Sequence, residues 1–185
     1  MWKMMMTEQQ TKADNQKLAK YLFVGAAVVL SAIVAFPWPR RSEPLIPTTQ
    51  RKTLSDFTLE QLDGGTWQLN QHHGQIVLIN YWASWCGPCR TETPGIVRMA
   101  SDTKDLAVVG VSMDVGDRTP VRHFIKQMKV DYPIAFPEPM SQMATGMVGL
   151  PTSILIDREG RVAKTYVGET RENEFRTDVA KLQAE

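Results

Sequence analysis

The chain has 185 residues, with 21 lysine and arginine residues against 20 acidic residues and a formal net charge of +1. This balance excludes nucleic acid as the main partner, because there is no basic surplus to neutralise phosphates. Apolar residues make up 43% of the chain and charged residues 22%, which is typical of a globular protein and argues against disorder. The length predicts one domain with an appendage.

The first predicted element is an apolar segment near the N-terminus. Residues 21–36 carry no charged side chain, and with its flanks the segment approaches the roughly 20 residues that cross a bilayer. We predict a cytoplasmic polar tail at 1–17, a transmembrane anchor at 18–38 and a proline-rich linker at 39–52. A cleaved signal peptide and a buried core helix stay open as alternatives, although the segment has neither a small-x-small cleavage site nor a polar face.

An alternating α/β pattern fills residues 53–185, the predicted globular domain. Runs of apolar, β-branched or aromatic residues predict strands, and caps followed by helical spacing predict helices. The predicted strands are 56–62 and 66–69, which form a hairpin, then 75–83, 106–113, 132–136, 152–156 and 161–167. The predicted helices are 88–100, 120–128, 140–147 and 170–182. This order predicts buried parallel strands followed by a second hairpin. Asp114, Asp117 and Arg118 form a polar loop after a strand, and we expect them to be solvated.

The only two cysteines lie in the run WCGPC at 85–89. A disulfide across so short a loop adds little stability through chain entropy, so the pair is expected to be reactive. The run follows the buried strand 75–83 and opens a helix. Cys86 is therefore placed at a helix N-terminus, where unpaired N–H groups and the helix dipole favour a thiolate. Cys89 lies one turn further on the same face, so one cysteine can attack a partner's disulfide while the other resolves the mixed disulfide.

The other three residues of the run are expected to shape the site. Pro88 stands in the first turn of the helix, where its missing N–H costs nothing, and with Gly87 it keeps the turn between the cysteines tight. Trp85 is expected to cover the sulfurs with an apolar surface that limits water and gives partners a place to dock.

Metal binding is the main alternative to redox chemistry. Tetrahedral zinc needs four ligands, whereas the chain has one CxxC and three histidines. Copper capture by soft ligands is a second form of the alternative, because three methionines fall at helical spacing, Met140, Met143 and Met147. A packed apolar face explains the same spacing. We predict no metal, and no cofactor beyond a redox-active Cys86–Cys89 disulfide.

Two runs, IVLINYWASWCGPCRTETP and GLPTSILIDREGRV, closely resemble the thioredoxin superfamily. Within it they resemble the membrane-anchored extracytoplasmic branch of TlpA/ResA/DsbE-like thiol–disulfide oxidoreductases. The resemblance covers the chain from about residue 50 to the C-terminus. It implies an α/β thioredoxin fold, with a central mixed sheet flanked by helices and an N-terminal β-hairpin, preceded by one transmembrane helix. It also implies a single-pass protein of the bacterial cytoplasmic membrane whose domain faces the periplasm.

The resemblance gives further residues expected roles. Pro151, followed by Thr152, matches the family's cis-proline, which faces the CxxC and helps to bind the partner backbone. Glu92 matches an acidic position that ResA-like proteins place near the active site, although a first-turn glutamate that complements the helix dipole is an equal alternative. Asn80 stands where cytoplasmic thioredoxins carry a buried aspartate, which leaves Glu92 as the candidate acid–base group.

The resemblance also implies the partners. Protein thiols and disulfides are the expected substrates, and a DsbD/CcdA-like membrane protein is the expected electron donor. We expect a reductase of protein disulfides, with the CxxCH haem-attachment sites of apocytochromes c among the candidate substrates. An oxidase or isomerase that uses the same cysteines in the opposite direction is one alternative, and a copper-binding redox chaperone is another.

Overall fold

The computed structural model describes residues 43–137 and 149–185. The predicted tail and anchor at 1–38 and the predicted helix at 140–147 lie outside the described residues. In the part of the chain that the structure describes, no helix has the length and apolar character needed to cross a bilayer.

The described residues form seven strands and three α-helices. The strands are β1 (Thr58–Gln61), β2 (Thr66–Gln68), β3 (Ile76–Trp82), β4 (Leu106–Ser112), β5 (Ile134–Phe136), β6 (Thr152–Ile156) and β7 (Val162–Val167). The helices are α1 (Gly87–Asp102), α2 (Thr119–Met128) and α3 (Glu172–Gln183). Short 3-10 helices occur at Thr48–Gln50 and Leu69–His72. Each of these strands and α-helices overlaps a predicted one, with ends that differ by at most two residues.

The strands form one mixed sheet in the order β2-β1-β5-β4-β3-β6-β7. β3, β4 and β5 are parallel to one another, whereas the β1–β2, β1–β5, β3–β6 and β6–β7 pairs are antiparallel. The C-terminal ends of β3 and β4 and the start of β6 therefore meet at one edge of the sheet. The predicted active-site run follows β3 at this edge.

β3 is buried along its whole length because β4 and β6 flank it and both faces of the sheet are covered. Its side chains alternate between two core clusters. Leu78 and Trp82 belong to the cluster that contains residues of α1, and Ile79 and Tyr81 belong to the cluster on the opposite face. Asn80 lies between Leu78 and Trp82 in this alternation, so its side chain points towards α1.

The second half of the predicted linker packs on the domain. The Ile46 N–H donates to the Ala163 carbonyl at 2.8 Å, and the Lys52 carbonyl accepts from the Val162 N–H at 2.9 Å. Arg51 is buried and forms a salt bridge with Asp157 at 3.1 Å. β7 is an edge strand whose free backbone groups need partners, so this stretch lies along the edge instead of spanning a distance.

A buried ion pair joins the sheet to α3. Lys164 Nζ lies 2.7 Å from Asp178 Oδ2, and the Tyr166 hydroxyl donates to the same oxygen at 3.0 Å. Asp178→Asn is expected to lower the free energy of unfolding by about 3 kcal/mol, because it leaves the buried Lys164 ammonium group with only the partly exposed Glu174 carboxylate as a partner. Urea unfolding measures the change. Lys181→Ala removes only the exposed partner of Asp178 and is the matched control, with an expected change below about 1 kcal/mol. Equal losses in the two variants would contradict the prediction.

Candidate active site

Cys86 and Cys89 form a disulfide at the N-terminus of α1, with their Cα atoms 5.3 Å apart. Cys86 is the N-cap residue of the helix, and its Sγ accepts a hydrogen bond from the Cys89 N–H at 3.2 Å. Both side chains are buried, and Cys86 is the more exposed of the two, at 5% against 1%. A sulfur held by an N–H group at a helix N-terminus is stabilised as a thiolate once the disulfide opens. Cys86 therefore has the position of the attacking thiol.

Trp85, Gly87 and Pro88 surround the disulfide on the outer side. Together with Cys86 and with residues before β6 they line a shallow groove of about 370 Å³, whose other lining residues are Met113, Gly149 and Leu150. The Trp85 side chain is 72% exposed, so a large apolar surface faces solvent beside the sulfurs. Pro88 stands within the first turn of α1, as predicted.

Pro151 lies just before β6, at the edge of the sheet where β3 ends. The Leu150–Pro151 peptide bond is cis, which confirms the predicted conformation. The Pro151 carbonyl accepts from the Gly168 N–H at 2.8 Å, and the Thr152 hydroxyl donates to the Gly149 carbonyl at 2.7 Å. These bonds fix the segment that lines the groove through Gly149 and Leu150.

Glu92 lies one turn after Cys89 on the buried face of α1, and 5% of it is exposed. Its Oε1 accepts from Asn80 Nδ2 at 2.9 Å, and its Oε2 accepts from the Thr170 N–H at 2.7 Å. Burial raises the pKa of Glu92 to about 7, and the charge of Glu169 adds to this increase. The two hydrogen bonds act in the opposite direction and lower the pKa. Because α1 has no acidic residue in its first turn, the alternative of a dipole-complementing glutamate is wrong.

The surroundings of Glu92 include two residues that the sequence did not single out. Asn80 Nδ2 also donates to the Ser153 hydroxyl at 2.9 Å, and these two residues lie opposite each other in the β3–β6 register. Thr170 supplies a backbone N–H from the turn between β7 and α3. The only sequence signal for Ser153 was that it is a small hydroxyl residue inside the buried strand 152–156. No sequence signal indicated the Thr170 contact.

The family follows from a match to a family model. Residues 51–170, more than half of the chain, match the model of the AhpC/TSA family. The chain belongs to the AhpC/TSA family. This match spans the disulfide, Glu92 and the cis-proline.

Two curated relatives of this AhpC/TSA chain are thiol–disulfide oxidoreductases named ResA. One, from Bacillus cereus, is 29% identical over 133 residues, which are 71% of this chain and 77% of that protein. The other, from Bacillus subtilis, is 31% identical over 120 residues, which are 64% of this chain and 67% of that protein. The chain is therefore a thiol–disulfide oxidoreductase of the ResA/DsbE type, with the Cys86–Cys89 pair as its CxxC.

Solved structures confirm the predicted thioredoxin-like α/β fold with a mixed sheet. A thiol:disulfide interchange protein of the thioredoxin family from Chlorobium tepidum TLS superposes with a TM-score of 0.64 at 25% identity, covering 72% of this chain and 97% of that chain. A secreted thiol-disulfide isomerase from Corynebacterium glutamicum gives a TM-score of 0.69 at 25% identity, covering 81% of this chain and 97% of that chain.

The structure describes some, but not all, of the residues that could bind a metal ion in this AhpC/TSA-family chain. Within residues 43–137 and 149–185, no three His, Cys, Asp or Glu side chains are placed to hold a metal ion. The methionines of the copper alternative, Met140, Met143 and Met147, lie outside the described residues.

Proposed function

We propose that this protein is a reductase of protein disulfides. The observation that carries the direction is Glu92, a buried carboxyl group on the same helix face as Cys89 and one turn away. When it is ionised, its negative charge opposes a thiolate on the neighbouring cysteine and so disfavours the thiolate form of the reduced site. A site with a less stable reduced form is the stronger reductant. The Gly-Pro pair between the cysteines, which resembles that of reducing members of the superfamily, supports the same direction.

The proposed reaction transfers two electrons to a partner disulfide. The Cys86 thiolate attacks one partner sulfur, the partner's S–S bond breaks, and the other partner sulfur leaves as a thiolate. Cys89 then loses its proton to the Glu92 carboxylate and attacks Cys86 Sγ, which breaks the mixed disulfide. The two partner thiolates take up the proton held by Glu92 and one proton from water, so the partner is released as a dithiol and the protein is left with the Cys86–Cys89 disulfide. Pro151 and Thr152 are proposed to hold the partner backbone against the groove.

Renewed turnover needs an external source of two electrons. A DsbD/CcdA-like membrane protein is the proposed donor, and the CxxCH sites of apocytochromes c are proposed substrates. A location in the bacterial cytoplasmic membrane, with the domain on the periplasmic side, is supported by the apolar segment 21–36 and by the secreted Corynebacterium glutamicum relative. No metal or other cofactor takes part in the proposed reaction.

The reduction potential of the Cys86–Cys89 pair tests the direction. The full chain is equilibrated in dithiothreitol or glutathione buffers, free thiols are alkylated, and the two forms are separated by mass. We expect a value near or below about −250 mV, at the thioredoxin end of the scale. A value near about −120 mV would place the protein with the oxidants, overturn the reductase assignment and favour the oxidase or isomerase alternative.

A further inference from the structure

Ser84, two residues before Cys86, is held through all of its polar groups. Its N–H donates to Asp114 Oδ2 at 2.8 Å, and its hydroxyl donates to Asp114 Oδ1 at 2.5 Å. Its carbonyl accepts from Arg90 Nη2 at 3.0 Å. The segment between β3 and α1 is therefore attached on one side to the loop after β4 and on the other side to α1.

The two groups that hold Ser84 are themselves fixed. The Ser112 hydroxyl donates to Asp114 Oδ2 at 2.9 Å, and Ser112 is the last residue of β4, paired with the last residue of β3. The Arg90 guanidinium lies over the Phe124 ring, 5.0 Å from its centroid. Asp114 was expected to be a solvated loop residue, and that expectation is wrong, because both of its carboxylate oxygens accept hydrogen bonds from buried serines.

Asp114 thus joins the segment that carries Cys86 to the loop after β4, whose Met113 lines the same groove as Cys86. Trp85 follows Ser84 on one segment and is 72% exposed, and Val115 follows Asp114 on the other and is 97% exposed. We propose that Asp114 is a positioning residue, which holds the Ser84–Cys86 segment so that the Cys86 sulfur and the Trp85 ring meet a protein disulfide in a fixed orientation. This inference rests on the proposed exchange of electrons with protein disulfides.

The role matters most when the disulfide is open. In the oxidised form the bond to Cys89 ties Cys86 to α1. In the dithiol form that covalent tie is absent, and the contacts of Ser84 then restrain the segment that carries the attacking sulfur. Attack needs the sulfur in line with the partner's S–S bond, and a displacement of about 1 Å can slow such a reaction by up to about 100-fold. A bulky protein partner fixes the approach direction, whereas a small disulfide can adapt to a displaced sulfur.

Asp114→Ala is the variant that tests the proposal, with Asp117→Ala as its matched control. Asp117 is an exposed aspartate three residues away that accepts from the Thr119 N–H and hydroxyl and does not contact the redox motif. We expect Asp114→Ala to lower the second-order rate constant for insulin reduction about tenfold and that for hydroxyethyl disulfide less than about threefold. Asp117→Ala is expected to change neither. Ser84→Ala, which keeps the backbone bond to Asp114, is expected to give an intermediate loss with insulin.

Further measurements separate positioning from other roles. The pH dependence of Cys86 alkylation by iodoacetamide is expected to be the same in Asp114→Ala and in the wild type. Equal losses with both disulfides, accompanied by a shifted alkylation profile, would show that Asp114 acts on the thiolate and would overturn the proposal. Equal rates for Asp114→Ala and Asp117→Ala would overturn it too. If Asp114→Ala does not fold, Asp114→Asn replaces it, because the amide keeps the side-chain shape and loses one acceptor oxygen.

The rates are measured in both directions, reduction of insulin and oxidation of a reduced protein. A wild-type protein that only oxidises its partner overturns the reductase assignment. The oxidation rates of Asp114→Ala and the wild type can then still be compared to test the positioning role. A wild-type reductase that does not respond to Asp114→Ala overturns the positioning role alone.

Discussion

Cys86→Ser is expected to reduce the rate of insulin reduction to that of the uncatalysed reaction. Cys86 is the more exposed of the two cysteines and holds the N-cap position, and a serine hydroxyl cannot attack a disulfide under these conditions. Turbidity of the released insulin chains, with dithiothreitol as electron source, measures the rate. The double variant that replaces both cysteines gives the background. Activity of Cys86→Ser above that background would contradict the assignment of Cys86 as the attacking residue.

Cys89→Ser is expected to have a different outcome, because the first attack remains possible and the second does not. The partner should accumulate as a mixed disulfide with Cys86, visible as a covalent complex on a non-reducing gel and released by dithiothreitol. Peptide mass mapping identifies the linked cysteine. A stable complex formed by Cys86→Ser instead would reverse the two roles. In cells that produce the Cys89→Ser variant, the same mixed disulfide is expected to capture the physiological substrate.

Glu92→Gln is expected to slow the resolving step about 100-fold at pH 8 and to remove a titration from the rate profile. Because burial raises the pKa of Glu92 to about 7, the carboxylate accepts the Cys89 proton above pH 7 and is protonated, and unable to accept it, below. The wild-type rate should therefore fall with decreasing pH through an inflection near 7. Single-turnover measurements that start from the mixed disulfide isolate this step. An unchanged inflection in Glu92→Gln would assign the titration to another group.

Glu169→Gln is the matched control for this experiment. The charge of exposed Glu169 contributes to the raised pKa of Glu92, while its side chain lies outside the hydrogen bonds that Glu92 makes. We expect the inflection to persist in Glu169→Gln and to move to lower pH. An inflection that is lost in this variant would contradict the assignment to Glu92.

The raised pKa also sets the pH dependence of stability. Between the ordinary glutamate value of 4.5 and about 7, the unfolded chain has lost the proton that the folded protein still holds. Stability therefore falls as pH rises through this window, by on the order of 3 kcal/mol, and is constant for this group above it. Glu92→Gln removes this pH-dependent contribution to stability, so the stability of the variant relative to the wild type should be greater at pH 8 than at pH 5. Urea unfolding at the two pH values measures the difference.

The secondary-structure elements and the reactive cysteine pair could be predicted from the amino-acid sequence alone. The apolar, β-branched and aromatic run at 75–83 predicts a strand that is buried on both faces, and the structure has β3 at Ile76–Trp82. The proline in WCGPC favours a helix start, and α1 begins within that run, at Gly87. These features depend on residues that are close in the chain, so hydrophobic periodicity and backbone restrictions were enough to predict them. The cis bond at Pro151 came from the resemblance and not from any local pattern.

The environment of the reactive pair, in contrast, depends on contacts that form only in the folded protein. Glu92 meets the N–H of Thr170, 78 positions along the chain, and Ser84 meets Asp114, 30 positions along. The sequence does not show whether the carboxylate of a given residue is surrounded by water or by buried amide groups. The fold brings β3, β4 and β6 together at one edge, and it thereby buries Glu92 and half-buries Asp114. Desolvation and hydrogen bonding, which set the raised pKa of Glu92, exist only after that assembly.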